Sequence, residues 1–337
     1  ELDLRRKVLL GRGLPPIYER PSGENAPVEG RAPHWRFRLD HDHPIFWDDL
    51  IRGEQRFDPR LLSDPVIRRA DGSWLYLLPS VIDDIDLGIT HIVRGEDHVS
   101  NSAVQLQMFD ALGAAPPQLA HEALLVAAEG KLSKRLGAVG VGEMQAQGLE
   151  PMALLSLLAR LGTSQPVEPV PDLAPLAAGF DFAHFGRAPA HFDMGEVQQL
   201  NARLLHVMPF DAVAGRLPSW VDAEGWTTLR TALGRVEEIG NWEEVVQGDI
   251  ARPDLPPEER AFLAQAAVMA ADLDWSADPW HALTAALKDA TGRKGKALFL
   301  PLRLALTGRP SGPEMAPLVR LIGKQRCLSR LNASAGA

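Results

Sequence analysis

A short basic segment, Lys131-Leu132-Ser133-Lys134-Arg135, contains the residues of this chain with the clearest chemical use. It follows Gly130 and places two ammonium groups and a hydroxyl close together. Fixed cations stabilise the charge that develops on phosphate oxygens when a carboxylate attacks the α-phosphorus of a nucleotide and pyrophosphate departs. Lys131 and Lys134 can reach successive phosphates while Ser133 donates a hydrogen bond. A basic loop that only faces solvent is the alternative interpretation.

A second charged cluster, Arg94-Gly95-Glu96-Asp97-His98, lies upstream. The Arg94 guanidinium has the fork geometry that binds a carboxylate bidentately. Glu96 and Asp97 can accept hydrogen bonds from a ligand ammonium or from ribose hydroxyls. An internal ion pair between Arg94 and a neighbouring acid is the alternative.

Three aromatic or imidazole side chains stand near these clusters in the sequence. Tyr76 is a candidate to donate its hydroxyl to a polar ligand, although a tyrosine of the core is the commoner role. His98 and His121 are interpreted as structural, since neither has the partners of a metal site or of a nucleophile triad.

The elements that must position these groups are readable from the pattern. The β-branched run Ile89–Val93 predicts a buried strand that delivers Arg94 at its carboxyl end. Ser100 or Asn101 is expected to cap a helix that stops at Gly113, and residues 123–126 predict a second strand that leads to the lysine segment. Strand, helix, strand and loop form half of a nucleotide-binding α/β fold, whose ligands lie at the carboxyl ends of the strands.

Other local signals extend this outline. Asp71-Gly72 between residues 66–69 and 74–78 predicts a β-hairpin. Residues 34–39 and 45–51 are further strand candidates. Downstream, helical patterns begin at Pro151, after Pro256-Pro257, after Asp278-Pro279 and from Gly312-Pro313.

Composition bounds the class of protein. The chain has 337 residues with 45% hydrophobic residues, enough for two or three ordinary domains. No apolar run approaches the ~20 residues that span a bilayer, and the first residues lack the composition of a secretory signal, so no membrane partner and a cytoplasmic location are expected. The single cysteine, Cys327, excludes an internal disulfide and a zinc site of paired thiolates, and no metal bound by the protein is expected.

The charge distribution is uneven. A net charge of −9 argues against a polyanionic partner, because phosphate binding relies on lysine and arginine. The segment from Thr291 onward nevertheless contains Glu314 as its only carboxylate among many cations. These are Arg293, Lys294, Lys296, Arg303, Arg309, Arg320, Lys324, Arg326 and Arg330. This basic tail is either a nucleic-acid face, with Arg320, Lys324 and Arg326 as candidate contacts, or a solvated helical surface.

The order of the motifs resembles the second half of the catalytic domain of glutamyl-tRNA synthetases, a class I family. The segments are Asp71-Gly72, Tyr76, Val81-Ile82-Asp83-Asp84, residues 90–98, His121, Leu124-Leu125 and residues 131–135. The last of them corresponds to the KMSKS loop of that family. Residues 148–155 resemble its stem-contact region, and residues 295–303 with 305–308 resemble its carboxyl-terminal anticodon-binding domain.

The resemblance implies a fold class and a domain organisation. It implies an α/β catalytic portion, which is the carboxyl-terminal half of a Rossmann-like nucleotide-binding domain with a connecting insertion, followed by all-α stem-contact and anticodon-binding domains. The expected boundaries are 1–70 for the remnant of the insertion, 71–137 for the catalytic half, 138–205 for the stem-contact domain and 206–337 for the anticodon-binding domain.

The resemblance also implies an activity and its residues. Glutamate would be activated with ATP and Mg²⁺ to glutamyl-adenylate and transferred to tRNA(Glu), with tRNA(Gln) as a further candidate, by a monomer. Arg94 and Tyr76 would contact glutamate, and Lys131 and Lys134 would be catalytic. The residues that would border ATP are Asp97, Leu124, Leu125, Ser133 and Lys134. Ser80 stands where some relatives have an asparagine against the substrate.

One family feature is absent from the sequence, namely the His-Ile-Gly-His segment of the first phosphate-binding unit. We therefore expect an amino-terminally incomplete synthetase that is inactive alone. A non-catalytic tRNA-binding protein derived from a synthetase is the alternative, and an in-frame His-Ile-Gly-His segment upstream in the DNA would separate the two. A glutaminyl enzyme is disfavoured because those relatives end in β-barrels, whereas this tail has a helical pattern.

Overall fold

The computed structural model describes residues 7, 8, 10, 11, 17, 18, 20, 33–127, 130, 131 and 140–336. The chain forms two compact units. Unit 1 contains Glu1–Leu132, Arg160–Pro166 and Gly179–Phe192, and unit 2 contains the remaining segments. The predictions on Ser133 and Lys134 lie outside the described residues. The four-part domain division given above stays a prediction.

Unit 1 contains the strands. They are β1 (Trp35–Arg36), β2 (Ile45–Asp49), β3 (Gly53–Phe57), β4 (Val66–Arg68), β5 (His91–Gly95), β6 (Gln118–Glu122), β7 (Leu125–Ala127), β8 (Gly130–Lys131) and β9 (Ala190–His191). Its longer helices are α1 (Leu77–Asp86) and α2 (Val99–Ala111).

The central sheet of unit 1 has the order β3-β2-β6-β5. Strands β2 and β3 form an antiparallel hairpin, whereas β5 and β6 are parallel from His91 opposite Gln118 to Gly95 opposite Glu122. Strand β2 is parallel to β6, where Asp49 lies opposite Leu119. The carboxyl ends of β5 and β6 therefore lie together at one edge, where α/β sheets bind their ligands, whereas β2 ends opposite the start of β6.

The predicted strand–helix–strand unit is present. Its first strand, β5, was wrongly predicted to be buried, because it lies at the end of the sheet order with His91 and Val93 exposed. Its second strand was wrongly placed. That strand is Gln118–Glu122 rather than residues 123–126. Only two of its residues, Leu119 and Ala120, are buried apolar ones, and it also buries His121, so no hydrophobic run marks it. Leu125–Ala127 instead forms a short strand of another sheet, antiparallel to β8 and parallel to β9.

The predicted hairpin at Asp71-Gly72 is only partly correct. Gly72 has φ +86° as a tight turn requires, and Arg68 bridges Trp74 in antiparallel fashion. The chain then enters α1 at Leu77, so no second strand extends to Leu78. Helical spacing explains the difference, because Val81 is fully buried in the core that α1 shares with Met108 of α2.

Two other predictions for unit 1 need adjustment. The strand predicted over residues 34–39 is only β1, whereas β2 lies within the predicted 45–51. Helix α2 begins at Val99 after a single turn of 3₁₀ helix, so neither Ser100 nor Asn101 is its cap. It ends before Gly113, whose φ of +70° fits the predicted stop.

Unit 2 is helical. Its helices are α3 (Val141–Ala146), α4 (Pro151–Leu158), α5 (Ala174–Ala178), α6 (Met194–Leu205), α7 (Ala223–Leu229), α8 (Glu243–Gln247), α9 (Pro257–Ala271), α10 (Pro279–Thr291), α11 (Lys296–Thr307), α12 (Met315–Ile322) and α13 (Lys324–Ala335). The predicted starts at Pro151, Pro257 and Pro279 are confirmed, with proline in the first turn where its missing N–H costs nothing. Among the described helices, none is both long enough and apolar enough to cross a membrane.

Candidate active site

Arg94 lies near the end of β5 with its guanidinium half-buried against α2. Its Nη2 donates to Ser102 Oγ at 2.5 Å and to Gln105 Oε1 at 2.7 Å. Its buried Nε has no hydrogen-bond partner, and no carboxylate of the described residues forms an ion pair with it. Burial lowers the pKa of Arg94, and the more distant charges of Asp84 and Asp97 oppose that shift. The internal ion pair considered as an alternative is therefore not formed within the described part of the chain.

Tyr76 lies beside the start of α2. It occupies the position before α1 and is 51% exposed, so it is not a tyrosine of the core. Asn101 Nδ2 donates to its hydroxyl at 2.7 Å, and the His98 ring meets its ring edge-on at 6.3 Å between centroids. Tyr76 and Arg94 thus flank the same end of α2.

Glu96 and Asp97 differ in what they contact. Glu96 accepts from Arg52 Nη1 at 2.6 Å, so its carboxylate is already paired. Asp97 is exposed and folds back over Gly95, where an added Cβ would lie 2.7 Å from Asp97 Oδ1 and 3.3 Å from Leu124 Cδ2. The structure therefore brings Asp97 and Leu124 together over Gly95, while Glu96 has a structural partner.

The lysine segment is described only at its start. The backbone of Lys131 pairs with Val126 in the β7–β8 ladder, directly after Leu125. Ser133 and Lys134 lie outside the described residues, so the structure does not test where their side chains stand. The assignments of Lys131, Ser133, Lys134 and Leu125 to ATP stay predictions.

Sequence reasoning missed several residues around Arg94. Ser102 and Gln105 stand one turn apart on α2 and both accept from the guanidinium, a spacing that could have been noticed. Gln105 also donates to Ser80 Oγ at 2.8 Å, so Ser80 has a partner within the protein. His121 has no exposed surface and joins Ser102 to Asp49. Asp49 gave no signal beyond an acid within an apolar strand.

No group of three or more His, Cys, Asp or Glu side chains within the described residues is arranged to hold a metal ion. Mg²⁺ is expected here only with ATP, as part of the substrate.

The cations of the basic tail fall into two groups. Arg320, Lys324 and Arg326 are exposed on α12 and α13, and Lys294 and Lys296 are exposed before and at the start of α11. Arg330 is buried and donates to backbone carbonyls, including those of Val245 and Leu306. Three others also contact the protein, since Arg293 pairs with Glu259, Arg303 donates to the Pro313 carbonyl and Arg309 lies over the Trp242 ring. Only part of the tail is therefore free to meet a polyanion.

The fold and the two family models that match define the class of protein. Residues 22–170 match the catalytic domain of class I tRNA synthetases (E and Q), and residues 249–335 match an anticodon-binding domain. An α/β portion followed by helices is the architecture observed.

Curated relatives narrow the class to one family. A glutamate–tRNA ligase 1 of Rhizorhabdus wittichii is 62% identical over 99% of this chain and 77% of its own length. A glutamate–tRNA ligase 2 of Sphingopyxis alaskensis is 61% identical over 100% of this chain and 77% of its own length. The chain belongs to the glutamate–tRNA ligase family, as the motifs predicted.

Solved structures agree in fold. A glutamate–tRNA ligase from Elizabethkingia meningosepticum, crystallised with its amino acid, has a TM-score of 0.69 at 24% identity and covers 89% of this chain and 67% of its own. The enzyme from Elizabethkingia anophelis has a TM-score of 0.68 at 24% identity, covering 90% and 68%. At this identity the likeness concerns the fold alone.

Proposed function

We propose that this chain binds glutamate through Arg94 and takes part in the ATP-dependent formation of glutamyl-adenylate and its transfer to tRNA(Glu). One observation carries the proposal: a half-buried guanidinium near the carboxyl ends of the parallel strands β5 and β6 has no carboxylate partner among the described residues. A buried charge without a counter-charge is costly, and a ligand carboxylate is the group that would relieve the cost.

The hydrogen bonds of Arg94 determine how a carboxylate would bind. Nη2 already donates to Ser102 and Gln105 and Nε is buried, so Nη1 is the group left for a ligand among the described contacts. The exposed Tyr76 hydroxyl, which is bound to Asn101 next to the Arg94 partner Ser102, can donate to a second polar atom of the ligand. This arrangement selects an acidic substrate, because a neutral one would leave the guanidinium unpaired.

The nucleotide is expected on the neighbouring surface. We assign its border to Asp97, Leu124, Leu125, Ser133 and Lys134, of which Asp97 and Leu124 already lie together over Gly95. The α-carboxylate of glutamate, rather than the side-chain carboxylate that Arg94 would hold, would attack the α-phosphorus and displace pyrophosphate. Lys131 and Lys134 would neutralise the departing pyrophosphate together with Mg²⁺ bound to ATP. The exposed cations Arg320, Lys324 and Arg326 would contact the phosphates of tRNA(Glu), with tRNA(Gln) as a second substrate and the protein as a monomer.

Glutamate-dependent exchange of pyrophosphate into ATP tests the proposal, with the 337-residue chain and with the full gene product that carries it. Arg94→Lys keeps the charge but loses the planar fork, so the glutamate KM should rise about 100-fold while the ATP KM changes less than about threefold. Arg60→Lys is the control, because Arg60 is exposed and paired with Asp58.

The outcomes separate the two functions that the sequence left open. An unchanged glutamate KM in Arg94→Lys would remove this residue from substrate binding. A gene product that binds tRNA but shows no exchange under any condition would support the non-catalytic tRNA-binding protein instead.

A further inference from the structure

A buried chain of hydrogen bonds runs behind Arg94, on the side where its Nη2 is held. Ser102 Oγ, which accepts from Arg94, lies 2.6 Å from His121 Nε2. His121 Nδ1 lies 2.5 Å from Asp49 Oδ2. The exposed fractions of His121, Ser102 and Asp49 are 0%, 1% and 4%, so solvent does not reach these groups.

The direction of each hydrogen bond in this chain follows from the Asp49 carboxylate, at which the chain ends. Asp49 Oδ1 accepts the backbone N–H groups of Ile51, Arg52 and His121 at 3.1, 3.0 and 3.1 Å. A carboxylate oxygen only accepts, so His121 Nδ1 must donate to Oδ2. The other nitrogen of a neutral imidazole is then an acceptor, and it takes the hydroxyl hydrogen of Ser102. The Ser102 oxygen is left to accept from Arg94.

The electrostatics agree with this direction. Burial alone would raise the pKa of Asp49, but hydrogen bonds from the His121 ring and from backbone N–H groups outweigh it and lower the pKa. Burial lowers the pKa of His121 and prevails over Asp49, and the charges of Arg94 and Arg52 act in the same direction as burial. The pair is therefore an ionised carboxylate and a neutral imidazole.

The second acceptor of Arg94 is also held in place. Gln105 Oε1 accepts from Nη2, and its Nε2 donates to Ser80 Oγ at 2.8 Å. Ser80 in turn donates to the Leu77 carbonyl at 3.1 Å. With Nη2 bonded on two sides, the plane of the guanidinium is fixed.

We propose that Asp49, His121 and Ser102 are positioning residues, which fix the Arg94 guanidinium so that Nη1 stays free and correctly aimed for the carboxylate of glutamate. The inference rests on the proposed function of Arg94. An acid in direct contact with Arg94 would compete with the substrate. The hydrogen-bonded chain of Asp49, His121 and Ser102, called the relay below, instead places the Asp49 carboxylate behind a serine and a histidine. That carboxylate polarises the hydrogen bonds to Arg94 without occupying the side where the ligand would bind.

Substitutions at Ser102 test the relay with the least structural disturbance, because they alter the side chain by only an atom or a methyl group. Ser102→Ala removes the acceptor of Arg94 and should raise the glutamate KM about tenfold, with the ATP KM unchanged. Ser102→Thr keeps the hydroxyl and should restore the glutamate KM to within about threefold of the wild-type value. Ser156→Ala is the matched control, since Ser156 is a fully buried serine of unit 2 that accepts from the Val170 N–H, and it should leave both KM values unchanged.

A double-mutant cycle with Arg94→Lys, measured on the full gene product, distinguishes failure of the relay from failure of the proposed function. If the relay acts through Arg94, Ser102→Ala should change the glutamate KM by less than about twofold once Arg94 is already lysine. The same tenfold effect in both backgrounds would overturn the relay and leave Arg94 in substrate binding. An unchanged glutamate KM in Arg94→Lys alone would instead overturn the proposed function.

A measurement on the 337-residue chain needs no activity. Nitrogen-15 NMR of the histidine rings should show His121 protonated at Nδ1 only at neutral pH, because burial and the charges of Arg94 and Arg52 lower the pKa of the ring and outweigh Asp49. Asp49→Asn should change the His121 signals, whether or not the variant retains glutamate binding. A His121 ring protonated at Nε2, or at both nitrogens at neutral pH, would overturn the relay.

Discussion

The exposed cations at the end of the basic tail are predicted to supply a measurable share of tRNA affinity. The perturbation is the simultaneous change of Arg320, Lys324 and Arg326 to glutamine. All three side chains are exposed, and none forms an ion pair with a described carboxylate. Lys324 and Arg326 make only long contacts, of 3.3 and 3.4 Å, to the carbonyls of Ala271 and Ile322. Their charges are therefore available to phosphates.

The magnitude follows from counterion release. Each neutralised phosphate contributes about 0.7 to 0.9 to the slope of log affinity against log salt, so three contacts predict a slope smaller by about 2 to 3. At about 0.1 M salt the same loss corresponds to roughly 100- to 500-fold weaker binding. A purely structural role would leave the slope unchanged, since the folded surface would still present the other cations.

Fluorescence anisotropy of labelled tRNA(Glu), titrated at several salt concentrations, measures this slope. The control changes three other exposed cations of unit 2 to glutamine, namely Arg203, Arg252 and Lys288, and alters the net charge equally. A slope equal to that of the wild type, or an equal loss in the control, would refute the assignment of this surface.

Two further predictions concern buried groups of unit 2. Arg330, 7% exposed, donates to the carbonyls of Val245, Leu306 and Gly248 at 2.7, 2.7 and 2.8 Å. Arg330→Ala should lower the free energy of unfolding of unit 2 by about 3 to 5 kcal/mol, measured by tryptophan fluorescence during unfolding in guanidinium. A loss below about 1 kcal/mol would contradict this prediction. Burial raises the pKa of the Cys327 thiol to about 12, so only the unfolded thiol ionises above about pH 8.5. The free energy of unfolding should therefore fall as pH rises beyond that value, by up to about 1.4 kcal/mol per pH unit, and more steeply than in Cys327→Ala. Equal slopes in the two proteins would disprove the coupling.

The fold was predictable wherever a local signal is strong. Proline at the first turn marked the starts of α4, α9 and α10, and β-branched residues marked the region of β5. Strand β6 was missed because His121 is buried by a tertiary partner, Asp49, which no local pattern reveals. Helix α1 was taken for a strand because the Asp71-Gly72 turn suggested a longer hairpin than the single bridge at Arg68.

The candidate site residues could be picked out by residue type, but their hydrogen-bond partners could not be predicted. Arg94 and Tyr76 stand out as side chains able to bind a carboxylate and a polar atom, and both lie at the end of α2. The residues that hold Arg94 could not be found, since Asp49 and His121 are 72 positions apart and meet only through the pairing of β2 with β6. Counting cations likewise overestimated the exposed positive charge of the tail, because Arg330 is buried and donates to backbone carbonyls.

The distribution of acids around the two arginines of the site explains how a cation can stay free in a charged cluster. Glu96 lies only two residues from Arg94, yet it pairs with Arg52 at 2.6 Å. The Arg52 backbone N–H is in turn bound to Asp49, which ends the relay behind Arg94. One acid is thus held by a neighbouring arginine and the other acts through Ser102 and His121. Neither acid contacts Arg94, whose Nη1 therefore remains without a partner among the described residues, as binding of an acidic substrate through it would require.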